Sequence, residues 1–174
     1  KLSWHEHQGD ELAHYASAAF DIQYEFPFGP GEIEGIHNRS NFDLMQHEKF
    51  SGKKLQYFDE QSREKFVPSV IETSIGASRT TMACLVNAYH EEEVKGDTRV
   101  VMRFHPRMAP IKAAILPLVK REGMPEIAHK IAEGLRQHFR VAYDESGAIG
   151  RRYRRMDEVG TPYCVTVDSE TLEN

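Results

Sequence analysis

The residues best suited to chemistry lie in one run, Glu72-Thr73-Ser74-Ile75-Gly76-Ala77-Ser78-Arg79. If residues 70–75 form a strand, Glu72 and Ser74 stand two apart and project from the same face. A carboxylate beside a hydroxyl makes a clamp for a small ammonium group, because the carboxylate forms charge-assisted hydrogen bonds with it. Gly76, Ala77 and Ser78 are small and let a ligand approach the backbone. Arg79 then opens a helix, where a planar guanidinium can pair with phosphate or stack on a base. The same string also suits an ordinary strand-to-helix turn with a surface salt bridge. Glu32 and Glu34, two apart in a second strand-like run, are expected to share a face and to offer oxygen ligands to a divalent cation, or else to form a solvated strand face. His5 and His7 flank Glu6 but lack a third ligand of their own, so the reading there is surface rather than metal.

The elements that must position these groups can be read from periodicity. Phe20–Phe28 reads as a strand ending at Pro27 and the turn Gly29-Pro30-Gly31, and residues 32–36 read as another. Residues 55–58 and 66–70 read as short paired strands around a polar turn at 59–63. Met82, Leu85, Val86 and Tyr89 recur at helical spacing after the strand 70–75. Further on, Ile111–Leu118 is an almost unbroken apolar run, the mark of a strand buried on both faces. Pro125 suits a helix start, followed by a stripe of Ile127, Ile131, Leu135 and Phe139. A strand at 140–143, a helix striped by Ile149, Tyr153, Met156 and Val159 and closed by Gly160, and a strand at 163–167 complete an α/β unit. Nothing in the sequence is seen to cover that last strand.

Charge divides the chain in the same way. Residues 1–97 hold nine Lys and Arg against 17 Asp and Glu, and residues 98–174 hold 13 against 10. The basic half is the better partner for a polyanion. The acidic stretch His90–Asp97 is read as a flexible boundary, giving domains 1–97 and 98–174. No apolar run reaches the ~20 residues of a membrane span, and the N-terminus lacks the apolar core of a signal peptide. Cys84 and Cys164 read as buried thiols of a reducing compartment, the cytoplasm.

These segments together resemble one family. The strand from Phe66 running into Ser74-Ile75-Gly76-Ala77-Ser78-Arg79 is similar to motif 3 of class II aminoacyl-tRNA synthetases, and Val70-Ile71-Glu72-Thr73-Ser74 is similar to the glycyl-tRNA synthetases in particular. So are His14-Tyr15-Ala16 followed by Asp21, and Gly35-Ile36 followed by Arg39 and Asp43-Leu44. Ala109-Pro110-Ile111-Lys112, residues 150–155 and Asp157-Glu158-Val159-Gly160-Thr161-Pro162 resemble the anticodon-binding domain of the same enzymes.

The resemblance implies an incomplete antiparallel class II catalytic sheet (α+β) followed by a C-terminally truncated α/β anticodon-binding domain with a mixed, largely parallel sheet. It implies glycine activation with ATP and Mg²⁺ and transfer to tRNA(Gly), with a homodimer in the complete enzyme. Glu72, Thr73, Ser74, Ile75 and Gly76 match the glycine-binding positions. Glu32, Ile33, Gly76, Ala77, Ser78 and Arg79 match the ATP-binding ones. Arg79 and Glu32 carry catalysis, Glu32 through the magnesium of ATP. Arg151, Arg152 and Arg155 are the expected tRNA contacts. Motifs 1 and 2 of class II enzymes are not found in the chain, so the 174 residues alone are expected to be inactive. Pro30 stands where the family usually has tryptophan, which alters the turn before Glu32. The rival expectation is a synthetase-like protein that no longer catalyses and serves as a nucleic-acid-binding or accessory subunit.

Overall fold

A computed structural model describes residues 1–121 and 123–173. By contacts the chain divides into two compact units, Lys1–Ala83 and Cys84–Asn174.

The first unit is built on a four-stranded antiparallel sheet. Its strands are β1 (Leu2–Glu6), β2 (Ala18–Phe26), β3 (Gly29–Asn38) and β6 (Ile71–Ile75), hydrogen-bonded in the order β1-β2-β3-β6. Between β3 and β6 come helix α1 (Phe42–Ser51) and the small ladder of β4 (Tyr57–Phe58) with β5 (Lys65–Phe66). The β4–β5 turn is held by Asp59, whose carboxylate accepts from the Ser62 hydroxyl at 2.8 Å and from the Gln61 amide at 3.1 Å. Helix α2 (Ala77–Ala88) follows β6 directly, and the division between the units falls within it. Pro30 sits at the start of β3, where a missing N–H costs the ladder least.

The register fixes what each face of the sheet carries, since residues directly opposite share a face. Asp21 lies opposite His5 and Gly35, and Gly35 opposite Ser74. One step along, Ala19 lies opposite His37 and His37 opposite Glu72. This face is polar, with small residues at its centre. The other face carries Leu2, Trp4, Ile71 and Ile75, all exposed.

The second unit opens with a hairpin of β7 (Tyr89–Val94) and β8 (Asp97–Met102). Its two-residue turn, Lys95-Gly96, has positive φ at both positions (55° and 87°), as tight hairpins require. The stretch read as a flexible acidic boundary is therefore a paired strand and its turn. Glu92 faces Arg99 across the ladder and binds it at 2.6 Å, so the acidic run is partly neutralised from its own partner strand. The three strands β9 (Ala113–Pro117), β10 (Val141–Tyr143) and β11 (Tyr163–Val167) then form a parallel sheet in the order β10-β9-β11.

Every residue of β9 is buried. Helix α3 (Met124–Arg136) covers one face, packing Met124, Ala128 and Ala132 on Ile115 and Val167. Helix α4 (Ile149–Val159) covers the other, with Met156 against Ala114 and Leu116. Helix α5 (Ser169–Glu173) ends the described chain. Among the described residues β11 is an edge, bonded only to β9, with Tyr163 and Val165 exposed. No helix among the described residues is long and apolar enough to cross a membrane.

Candidate functional site

The site begins where β6 runs into α2. Gly76 donates its N–H to the Ile33 carbonyl at 2.9 Å and accepts from the Thr80 N–H at 2.9 Å, tying the turn to β3 and starting the helix. The first amides of α2 lie in the exposed residues Ala77, Ser78 and Arg79. They have no partner within the helix and carry its positive dipole end, the arrangement that suits an anion such as phosphate. Arg79 reaches back across the turn and donates to the Glu32 carbonyl at 2.8 Å, with its guanidinium 3.8 Å from the Glu32 carboxylate.

A β-bulge decides which acid joins this site. Opposite Ile22 stands Glu34, but opposite Gln23 stands Glu32, so Ile33 is an extra residue in β3. Strand alternation would put Glu32 and Glu34 on one face, as the sequence reading expected. The bulge breaks the alternation. Glu34 follows Ile22 and Trp4 to the apolar side, while Glu32 follows Gln23 to the polar side with Glu72 and Ser74. The paired-carboxylate cation site is corrected accordingly, because Glu32 and Glu34 face opposite ways. A single exposed carboxylate is still compatible with Mg²⁺, which is commonly held by one or two carboxylates plus substrate phosphates.

Thr73 and Ile75 also point to the apolar face, opposite Ile36 and Glu34. Of the run 72–76, the polar face therefore receives the side chains of Glu72 and Ser74 alone, and Thr73 and Ile75 can contribute only backbone there.

Glu72 is not isolated. Its Oε2 accepts from Arg39 at 2.5 Å, and the Arg39 Nε donates to Asp43 at 2.6 Å. The guanidinium also lies over the Tyr15 ring, 4.1 Å from its centre. Asp43 and then Glu72 raise the Arg39 pKa further, and the Arg39 hydrogen bond holds the Asp43 carboxyl below its usual range. Arg39, Asp43 and Tyr15 were visible in the sequence only as family-like wording without a role. Contact with Glu72 gives them one.

Asp21 was likewise noted without a role. It is buried, and its Oδ2 meets His7 Nε2 at 2.8 Å. That hydrogen bond raises the His7 pKa, against a smaller opposing effect of burial. His5 stands 3.6 Å from Glu11, and ligand atoms of His5, His7 and Glu11 lie within 4.8 Å of one another. The sequence showed no third ligand here, but the fold brings Glu11 beside the two half-buried histidines, with His7 already engaged by Asp21.

The three arginines read as RNA contacts separate. Arg152 is buried at 3% exposure and donates to the carbonyls of Gly147 (2.7 Å) and Pro117. The expectation that Arg152 meets tRNA is corrected, because its guanidinium is spent on the protein's own backbone. Arg155 pairs with Asp144 at 2.5 Å and donates to the Ser146 carbonyl at 2.7 Å. Arg151 is exposed. Tyr153, read as part of the core stripe of α4, is instead more than a third exposed and bonds Thr166 at 2.7 Å.

Residues 112–174 match the family model described as the anticodon binding domain. Over its whole length the chain is similar to several curated proteins. It is 56% identical over 176 residues to a glycine–tRNA ligase of Borrelia hermsii, covering 99% of this chain and 40% of that protein. It is 53% identical over 180 residues to one from Treponema denticola, covering 100% and 40%, and 52% identical over 174 residues to one from Chlorobaculum tepidum, covering 100% and 37%. The chain thus spans about two fifths of the length of these relatives.

Proposed function

We propose, from the homology of the whole chain to about two fifths of the glycine–tRNA ligases, that the protein activates glycine with ATP and passes it to tRNA(Gly). On this reading the first unit belongs to a class II catalytic domain and residues 112–174 to the anticodon-binding domain, and the boundary read at 97/98 is given up because it would part the two strands of the β7–β8 hairpin. A homodimer and a cytoplasmic location belong to the same reading. The observation that carries it is the bulge at Ile33, which brings Glu32 to the face of Glu72 and Ser74, with Arg79 fastened to the Glu32 carbonyl.

The residues divide the work by charge. The Oε1 of Glu72 and the Ser74 hydroxyl receive the ammonium of glycine. Arg79 and the first amides of α2 receive phosphate oxygens. Positioned in this way, a glycine carboxylate oxygen attacks the α-phosphorus, the bond to the bridging oxygen breaks, and pyrophosphate leaves. Arg79 offsets the charge that develops on the phosphates. Mg²⁺, held by Glu32 together with phosphate oxygens, would supply further positive charge there. A terminal ribose hydroxyl of tRNA then takes the glycyl group and AMP departs. Arg151 is the exposed basic residue of the second unit proposed to meet the tRNA backbone.

The test is glycine-dependent ATP–pyrophosphate exchange by the full-length protein, with alanine and serine as controls. Glu72→Gln is expected to lower kcat/KM for glycine about 100-fold, as loss of a charged hydrogen bond to the substrate would. Arg79→Ala is expected to lower kcat by about 100-fold or more, the scale on which transition-state charge stabilisation is lost. Unchanged kinetics in both variants would place the amino-acid and phosphate sites elsewhere.

A further inference from the structure

The first strand and the turn after it gather side chains that the proposed reaction does not use. His5 lies on β1, and His7 just beyond it continues the ladder by donating its N–H to the Ala19 carbonyl at 3.0 Å. Two apart on extended chain, the imidazoles project from the same face, with ring centres 5.0 Å apart. The chain then reverses. Gly9 has φ at +56°, and the single 3-10 turn Gly9–Glu11 closes with the Leu12 N–H on the Gly9 carbonyl at 3.2 Å. The reversal returns the Glu11 carboxylate to the strand just left, 3.6 Å from His5 Nε2.

We propose that His5, His7 and Glu11 bind a divalent metal ion of the zinc class, with Asp21 holding the far nitrogen of the His7 ring. The site is independent of the glycine-activation reading.

Spacing is the first support. A hydrogen bond between His5 and Glu11 would close their gap to about 2.7–3.2 Å, and 3.6 Å is too long for one. Tetrahedral zinc, with nitrogen and oxygen ligands at roughly 2.0–2.2 Å, sets neighbouring ligand atoms about 3.4 Å apart. One ligand atom from each of the three residues lies within 4.8 Å of the other two, so a single ion can reach all three after small side-chain movements.

The second support is what stands behind His7. Asp21 is buried and meets Nε2 at 2.8 Å, which leaves Nδ1 for a metal. A metal-bound imidazole whose other nitrogen donates to a carboxylate is fixed in tautomer and orientation and is the more basic ligand for it. The Glu11 main chain also approaches this ring. Zinc would replace any proton on Nδ1, which passes to solvent.

Charge is the third. Glu11 and Asp21 bring two negative charges and neutral imidazoles add none, so one divalent ion balances the group. Imidazole ligands suit zinc and its neighbours, whereas magnesium and calcium take oxygen. The side chains of His5 and Glu11 are 41% and 57% exposed, so the fourth position is open to water. Bound there, the ion pins the turn Gly9–Glu11 to β1.

The experiment uses the untagged full-length protein, stripped of metal with EDTA and titrated with zinc chloride, then with cobalt chloride as a spectroscopic probe. His5→Ala and Glu11→Ala each remove one ligand and leave the bond between His7 and Asp21 in place. Each is expected to weaken zinc binding about tenfold or more, the scale on which even an outer-shell partner is lost. Zinc should raise the midpoint of thermal unfolding of the parent and leave that of both variants unchanged. Cobalt should give the visible absorption of a four-coordinate ion in the parent alone. Absence of saturable zinc binding by the folded parent overturns the proposal. So does a zinc affinity unchanged in both variants, which would place the ion on other side chains. If one variant fails to fold, the other decides by the same comparison.

Discussion

Gly160→Ala is expected to destabilise the second unit by about 3 kcal/mol or more, enough to unfold much of a marginal domain. Gly160 caps α4 with φ at +74°, the left-handed conformation that costs a non-glycine residue about 1 kcal/mol. The larger part of the effect is contact. A Cβ at this position would lie 2.5 Å from Phe104 Cδ2, 2.6 Å from the Met102 carbonyl oxygen and 2.9 Å from Met102 Cβ. A phenylalanine ring can turn, but the Met102 carbonyl belongs to the last residue of β8 and moves only with the strand. Overpacking of that kind typically adds about 1–3 kcal/mol. Gly147→Ala separates the two contributions. Gly147 also has positive φ, at 73°, but the nearest atom to its Cβ position is a flexible Arg151 carbon at 4.0 Å. Urea unfolding should show a loss of only about 1 kcal/mol there. Equal losses at the two glycines would mean that the contacts of Gly160 contribute nothing.

Arg152→Met is expected to cost about 3 kcal/mol, in contrast to Arg151→Ala, which should stay within about 0.5 kcal/mol of the parent. The buried guanidinium bridges the end of β9, at the Pro117 carbonyl, to the loop before α4, at the Gly147 carbonyl. Methionine fills most of the volume but leaves both acceptors without that donor. Each unsatisfied buried acceptor costs about 1–3 kcal/mol. The neighbouring arginine has the opposite profile. Truncating Arg151 should weaken tRNA binding and flatten its salt dependence by roughly one counterion, as loss of one phosphate contact does. Filter binding across a salt series, set beside urea midpoints for the same proteins, would distinguish the two. If Arg152→Met left stability intact and weakened RNA binding alone, Arg152 would be an RNA contact after all.

Adjacent arginines with such different fates show where the sequence could not be read. Sidedness on α4 depends on a few tens of degrees of rotation, and the stripe Ile149, Tyr153, Met156 is compatible with a core centred on either 152 or 153. Tyrosine is the more apolar choice, so periodicity favours it. The structure instead buries the arginine, because the Pro117 and Gly147 carbonyls happen to need donors there. No local pattern announces two acceptors that lie 35 and five residues away.

The second unit was otherwise well signalled. A strand buried on both faces is uniformly apolar, and Ala113–Pro117 is that strand. The hairpin of β7 and β8 was missed because three consecutive glutamates look solvated, and Arg99, which pairs with Glu92, lies on the next strand. Helix α1 was missed for a different reason. Phe42–Ser51 has no apolar stripe and no buried residue, so there is no periodicity to detect.

At the candidate site, residue types were legible and facing was only half so. Glu72 and Ser74 share a face because β6 is regular, and alternation predicts regular strands well. Glu32 joins them only through the bulge at Ile33, and a bulge reverses every inference that counts residues in twos. Asp21 and Arg39 lay beyond local reading altogether. Their roles come from partners 14 and 33 residues away in the chain, His7 and Glu72.

The most direct test of the central claim is transfer of labelled glycine to tRNA by the full-length protein, with alanine and serine offered in parallel. Charging of tRNA with glycine, and with neither of the others, is the result predicted. A folded protein that binds tRNA but charges it with no amino acid would contradict the claim and leave a non-catalytic RNA-binding role in its place.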